Sequence, residues 1–352
     1  MSYKKEKKQK KRGTVAAYLL LMLLFVIIGL SGAFVVYYSY GVREATLKSG
    51  EIYISSGSTF SEQAAKLLDE GFISDTSDYV RFAKKLGYDR VYPGKYAITE
   101  GWPLKTLYRV INTGAQLSVN VPFNNIRNFE RLASVVSKRI EADSISLLKV
   151  LNSDSVAQKY GFNSETFMSM FIPNTYSLFW SATAEDFVDR MSREYDKFWK
   201  ANDRDSKAET LGLSRQEVSI LASIIIEESK AESEFERIAG VYINRLKANM
   251  PLQADPTVKY ALGDMTIRRV LYKHLEVDSP YNTYKNGGLP PGPICVPPIA
   301  AIDAVLNYEK HKYYYFCASD QLNGLHLFAE NLRQHNINAA AYAAALNKRG
   351  IR

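Results

Sequence analysis

Residues 13–42 carry no charged side chain. A run of that length divides the chain before anything else is known about it. Its centre, residues 15–36, exceeds the about 20 helical residues that cross a hydrocarbon core. Seven basic residues precede it, Lys4, Lys5, Lys7, Lys8, Lys10, Lys11 and Arg12, against Glu6, a local charge of +6. Such a tail stays on the cytoplasmic side, and Tyr18, Tyr37, Tyr38 and Tyr40 stand near the two ends of the run, where interfacial aromatics collect. A signal peptide cleaved at Ser31-Gly-Ala33 is the competing reading, but the apolar run continues past that point. The expectation is a tail at residues 1–12, a membrane anchor at 13–42 and the remaining 300 or so residues outside the cytoplasm.

The basic tail also accounts for most of the net charge of +8, so the folded part is close to neutral. A nucleic-acid binder would show a basic stripe on the folded domain instead. Cys295 and Cys317 are the only cysteines, and they show no ligand spacing. They read as buried thiols, with a disulfide as the alternative. His274, His311, His326 and His335 show no H-x-x-x-H arrangement, so no metal is expected.

After a linker, residues 51–55 alternate like a strand. Thr59-Phe-Ser-Glu62 has the form of a capping box, and its helix stops at Gly71. Residues 78–86 form a second helix ending at Gly87. A turn and strand follow at 93–98, then a helix from Pro103 to Ile111. Residues 45–115 thus read as a small α+β module, and residues 116–352 as a second, mixed helical and β domain. In the latter we expect a strand at 117–121, an amphipathic helix at 128–140 and short helices up to Met170. A turn-like break at 171–176, a helix at 184–200 and a polar connector at 201–207 come next. Asp255 is expected to cap a helix with Pro256 at its first position and Gly263 at its end. Residues 313–318 and 325–329 form a hairpin, and 331–347 a closing helix.

One helix in this domain has an unusual end. Ser214-Arg-Gln-Glu217 is an S-x-x-E start, and Leu221-Ala-Ser-Ile-Ile-Ile-Glu-Glu-Ser229 is its finish. At 100° per residue, Val218, Leu221, Ala222 and Ile225 define an apolar face, which Ile220, Ile224 and Ile226 widen to most of the circumference. Ser223 and Glu227 share the remaining gap. Glu228 instead projects between Leu221 and Ile224. A carboxylate inside an apolar arc is costly unless paired, protonated or facing a cleft. Desolvation raises its pKa, as a general acid near neutral pH requires. The alternative is a helix-end glutamate that reaches water.

Residues 279–294 are too rich in Pro and Gly for regular structure, yet they carry Tyr281, Asn282, Thr283 and Tyr284. That loop reads as the wall of a cleft. It joins the 221–228 segment, Val241-Tyr-Ile-Asn-Arg-Leu246, Leu252-Gln-Ala-Asp-Pro-Thr-Val258, Gly288-Leu-Pro-Pro-Gly292 and residues 326–336. In order and spacing these segments resemble the endolytic murein transglycosylases, the YceG-like family.

The resemblance implies a single-pass protein of the inner membrane with a LysM-like module at 45–115 and an extracytoplasmic catalytic domain. It implies a lyase that cleaves the β-1,4 bond between MurNAc and GlcNAc in peptidoglycan glycan strands and leaves a 1,6-anhydroMurNAc end, with no cofactor. The family's catalytic glutamate falls on Glu228, not Glu227. Asn244, Gln253, Asp255, Tyr281, Asn282 and Tyr284 are the candidates for binding substrate. For Asn244 and Arg245 packing or a salt bridge is the alternative, for Asp255 helix capping, and for the tyrosines and Asn282 a loop tying itself down. Peptidoglycan synthases (penicillin-binding proteins) are the candidate protein partners. One departure stands out: Met168-Ser-Met-Phe-Ile-Pro-Asn-Thr-Tyr176 lacks the Glu-Gly that usually precedes the family's Phe-Pro-Asp-Thr-Tyr segment. Two rival functions remain. A hydrolytic muramidase would need a second carboxylate from Glu227, Asp255 or Asp278, and a catalytically silent scaffold would bind glycan and recruit synthases.

Overall fold

The computed structural model describes residues 2–350 apart from 88, 89 and 268, with side chains from residue 15 onward. The side chains of the basic tail, on which the expected sidedness rests, therefore lie outside the described residues. The chain is a mixed α+β protein in two compact units, residues 1–118 with 179–181, and residues 119–178 with 182–352.

The first unit begins with helix α1 (Ser2–Gly41), whose stretch Val15–Gly41 is long and apolar enough to cross a membrane. Then follow β1 (Gly50–Ile54), α2 (Phe60–Asp69), α3 (Thr76–Leu86), β2 (Gly94–Ile98) and α4 (Leu104–Asn112). β1 and β2 pair antiparallel, Gly50 opposite Ile98 and Ile54 opposite Gly94. Alternation turns Ile52, Ile54, Tyr96 and Ile98 inward, where α2, α3 and α4 add Leu67, Tyr79 and Leu107. The capping box of α2 forms as the sequence indicates, with Glu62 accepting from the Thr59 amide at 2.7 Å. α3 starts two residues before the expected position because Asp75 caps it.

The second unit runs β3 (Ser118–Phe123), α5 (Phe129–Val136), α6 (Ser144–Leu151), α7 (Asp154–Lys159), β4 (Asn174–Phe179), α8 (Ala184–Lys200), α9 (Arg204–Leu211), α10 (Arg215–Glu228), α11 (Phe235–Lys247), α12 (Asp255–Ala261), α13 (Tyr272–Leu275), α14 (Ile299–Leu306), β5 (Tyr315–Ala318), β6 (His326–Ala329) and α15 (Leu332–Lys348). β3 pairs with β4, and β5 with β6 antiparallel, Tyr315 opposite Ala329. α10 lies at the centre, packed on α14, α11, α12 and α9. Its core positions from Val218 to Ile225 are almost wholly buried, as an all-round apolar helix should be.

Several expectations change. The break expected at 171–176 gives way to strand β4 from Asn174, partnered by β3. The polar connector at 201–207 contains the start of α9, whose Arg204 is buried because its guanidinium meets both oxygens of Asp303 at 2.7 and 2.9 Å. Ser223, expected on a polar gap, is fully buried: the 288–296 loop covers it, and its hydroxyl accepts from the Ile294 amide at 3.0 Å. Asp255 is not the cap of α12; it makes no capping bond, and its carboxylate turns to another partner.

The helix–loop packing around α11 leaves no room at Gly240, where a Cβ would collide with the Glu309 carbonyl oxygen. Gly240→Ala is expected to cost about 1–3 kcal/mol, read as a lower melting temperature. Gly287→Ala, in open space, should stay within about 0.5 kcal/mol.

Candidate active site

The capped start of α10 sets its register, and that register carries Glu228 to the last helical position. There the carboxyl enters a cavity of about 260 Å³. The walls come from α11 (Tyr242, Arg245), Leu252, Gln253 and Asp255, Tyr284, β5 (Phe316, Cys317, Ala318) and His326 of β6. Tyr242 donates its hydroxyl to Glu228 Oε1 at 2.8 Å. Burial pushes the Glu228 carboxyl up to about 7. The Tyr242 hydrogen bond works against that rise, and the nearby Asp255 charge adds to it. The helix C-terminus, with its partial negative charge, also disfavours the ionised form.

Glu227 has another fate. Its carboxylate pairs with Arg127 at 3.2 Å, away from the cavity walls. One step along the helix thus separates an ion-paired carboxylate from one held in the cavity by a tyrosine hydroxyl.

Of the other candidates, Gln253, Asp255 and Tyr284 line the cavity. Tyr284 donates to Asp255 at 2.6 Å, so the two stand as a pair. Gln253 is exposed and adopts a left-handed backbone (φ 52°), its side-chain oxygen accepting from Arg245 at 3.2 Å. Arg245 braces this wall, donating also to the carbonyls of Pro251, Leu252 and Tyr314.

Asn244, Tyr281 and Asn282 are not among the cavity-lining residues. Asn244 donates to the carbonyls of His311 and Tyr313, tying α11 to the segment before β5. The Tyr281 ring packs on Tyr260, with centroids 4.8 Å apart. Asn282 is fully buried, donates to the carbonyls of Leu275 and Val277 at 2.8 Å each, and accepts from the Tyr284 amide. In this arrangement its polar atoms are spent on its own loop. Asn282→Ala is expected to orphan those carbonyls and cost about 1–3 kcal/mol, measured by thermal melting.

The sequence reading gives no role to three groups of the site, although His326 opens one of the segments that carry the family resemblance. Tyr242 belongs to a quoted segment, but nothing in the spacing ties it to Glu228. His326 donates its amide to Glu234 Oε1 and sets Nδ1 against Oε2, both at 2.8 Å. Glu234 is buried and also receives the hydroxyl of Ser229, the residue after Glu228. Nearby, Asn331 caps α15, and His335 stacks on Tyr315. Both cysteines are free thiols; burial pushes Cys295 up to about 12, while Cys317 lines the cavity.

Residues 52–341 match the YceG-like family model. The chain belongs to the YceG-like family. The Bacillus subtilis endolytic murein transglycosylase is 31% identical over 345 residues, 92% of this chain and 93% of that relative. The protein of the same name from Streptococcus pneumoniae is 34% identical over 174 residues, 48% of this chain and 31% of the relative. The crystal structure of a YceG-like protein from Listeria monocytogenes superposes with a TM-score of 0.53 at 25% identity, covering 83% of this chain and 99% of that one. In this YceG-like chain the matched region contains every residue of the cavity described above.

Proposed function

We propose that the protein is an endolytic lytic transglycosylase of peptidoglycan, with Glu228 as its single acid–base group. The observation that carries the reading is the Glu228 carboxyl in the cavity, held near neutral pKa by burial. The names of the Bacillus and Streptococcus relatives support the substrate and the reaction class. Protonated Glu228 gives its proton to the glycosidic oxygen as the bond from MurNAc C1 to that oxygen breaks. The MurNAc C6 hydroxyl attacks C1, closing the 1,6-anhydro ring, and its proton returns to the Glu228 carboxylate. No water is consumed, and intramolecular attack removes much of the entropic barrier. Tyr242 holds the carboxyl in place throughout. Gln253, Asp255 and Tyr284 are the groups placed to contact the sugars.

The apolar helix α1 supports single-pass anchoring in the inner membrane, with the catalytic unit on the outer side. The β–α–α–β order of residues 50–98 is the compact unit to which we assign the LysM-like, glycan-binding role. Peptidoglycan synthases are the protein partners this placement suggests.

One observation favours the hydrolytic rival: Asp255 gives the same cavity a second carboxylate. Cleavage of glycan strands in water enriched in heavy oxygen separates the two. The lytic reaction gives anhydro ends without label. Labelled reducing ends would establish hydrolysis and overturn the proposal.

Tyr242→Phe removes a hydrogen bond that favours the Glu228 carboxylate. The carboxyl should therefore titrate above its present value, moving the corresponding limb of the kcat/KM profile to higher pH. An unmoved limb would place another group in control.

A further inference from the structure

We propose that the cavity at the outer end of α1 binds the phosphate-bearing headgroup of an anionic phospholipid. The inference rests on reading Val15–Gly41 as the membrane span. At 1.5 Å per residue, 27 residues extend about 40 Å. The hydrocarbon core is about 30 Å thick. A span filling that core from residue 15 therefore leaves residues from about 35 onward at headgroup depth. Within the first unit, that terminal part of α1 lines a cavity of about 420 Å³ together with α3 and α4.

The walls combine two chemistries. Tyr37, Tyr40, Phe82 and Leu86 supply apolar and aromatic surface, and Tyr40 packs on Phe82 with ring centroids 5.1 Å apart. Tyrosine at this depth matches the amphipathic character of the interface. Lys105 and Arg109 supply the charge. They are four residues apart on α4 and so share one face. Both are exposed, and among the described residues neither enters an ion pair. α4 itself contains no acidic residue. The last turn of α3 adds Lys84 and Lys85, and the Lys85 ammonium lies 5.3 Å from the centre of the Tyr40 ring.

Two cations with no ion-pair partner among the described residues, at headgroup depth beside a helix that continues into the acyl layer, fit a lipid phosphate better than a soluble anion. Guanidinium and ammonium groups both bind phosphate oxygens. The aromatic floor takes the glycerol and the start of the chains. The consequence is that the first unit docks onto the membrane surface through a lipid and is not merely tethered to it.

The test uses the full-length protein in nanodiscs of phosphatidylcholine with and without phosphatidylglycerol, with retained lipids read by native mass spectrometry after release. Retention of phosphatidylglycerol over phosphatidylcholine is expected. Lys105→Gln with Arg109→Gln should cut that preference by roughly twenty- to thirtyfold, since each basic group near an anionic surface contributes about a factor of five. In the wild type, raised salt should weaken the preference if surface-exposed charges carry it. Equal retention of the two lipids, or a preference unchanged in the double variant, overturns the proposal. Displacement of the retained lipid by inorganic phosphate assigns the site to a free anion and also overturns it. Failure of the protein to float with pure phosphatidylcholine vesicles shows instead that the span reading has failed, and the lipid site with it.

Discussion

Glu228→Gln is expected to lower the release of 1,6-anhydroMurNAc by at least about 10²–10⁴-fold, while Glu227→Gln leaves release near that of the wild type. The two residues are neighbours in sequence but differ in setting. Glu228 lies in the cavity, bonded to Tyr242 and pushed up to about 7. Glu227 pairs with Arg127 outside it. Glutamine preserves the size of the side chain but cannot deliver a proton to the leaving oxygen or take one from the C6 hydroxyl. In the proposed mechanism one group serves both steps, so its loss would affect both. Losing the Glu227–Arg127 pair removes a partly exposed ion pair, worth about 0–1 kcal/mol in stability. A steady melting temperature for both variants would tie the difference in rate to chemistry.

The same substitution is expected to change the pH dependence of stability. Burial raises the folded-state pKa of Glu228 from 4.5 to about 7. Between those values the folded protein holds a proton that the unfolded chain has lost. Its stabilising effect is complete below about 4.5 and is lost as pH rises through about 7. Above that point the wild type carries an ionised carboxylate in the cleft. Glu228→Gln removes this dependence. After allowance for the open side of the cavity, it should be on the order of 2–3 kcal/mol more stable relative to the wild type above pH 7 than below pH 4. Melting curves across this range provide the measurement. A constant offset between the two proteins would mean that Glu228 titrates as it does in water.

The parts of this picture that could be read from the sequence have local causes. α10 announces itself through Ser214 and Glu217, which form the capping box seen in the structure. Counting from that cap places Glu228 in the apolar arc and Glu227 outside it. α8 is equally legible, because Thr183 and Asp186 cap a long amphipathic segment. Other parts depend on tertiary partners. β4 exists because β3 lies beside it, and residues 174–179 follow a proline that looks like a break. α14 is eight residues long and almost wholly apolar, without a side-chain cap, so its sequence shows no face; α10 and α11 define one.

The site divides in the same way. Asp255 and Tyr284 are both visible as polar residues, but their hydrogen bond spans 29 positions. The Glu234–His326 pair spans 92. Asn282 shows the converse problem. A polar residue on a rigid loop has the same sequence signature whether it faces a cleft or holds the loop's own carbonyls, and the structure gives it the second role.

The most direct test of the central claim is mass spectrometry of the new glycan ends formed when purified sacculi are treated with wild type, Glu228→Gln and Glu227→Gln, each verified as folded. The account predicts 1,6-anhydroMurNAc ends from the wild type and Glu227→Gln, and none above background from Glu228→Gln. Anhydro ends from folded Glu228→Gln at the wild-type rate, with Glu227→Gln inactive, would contradict it.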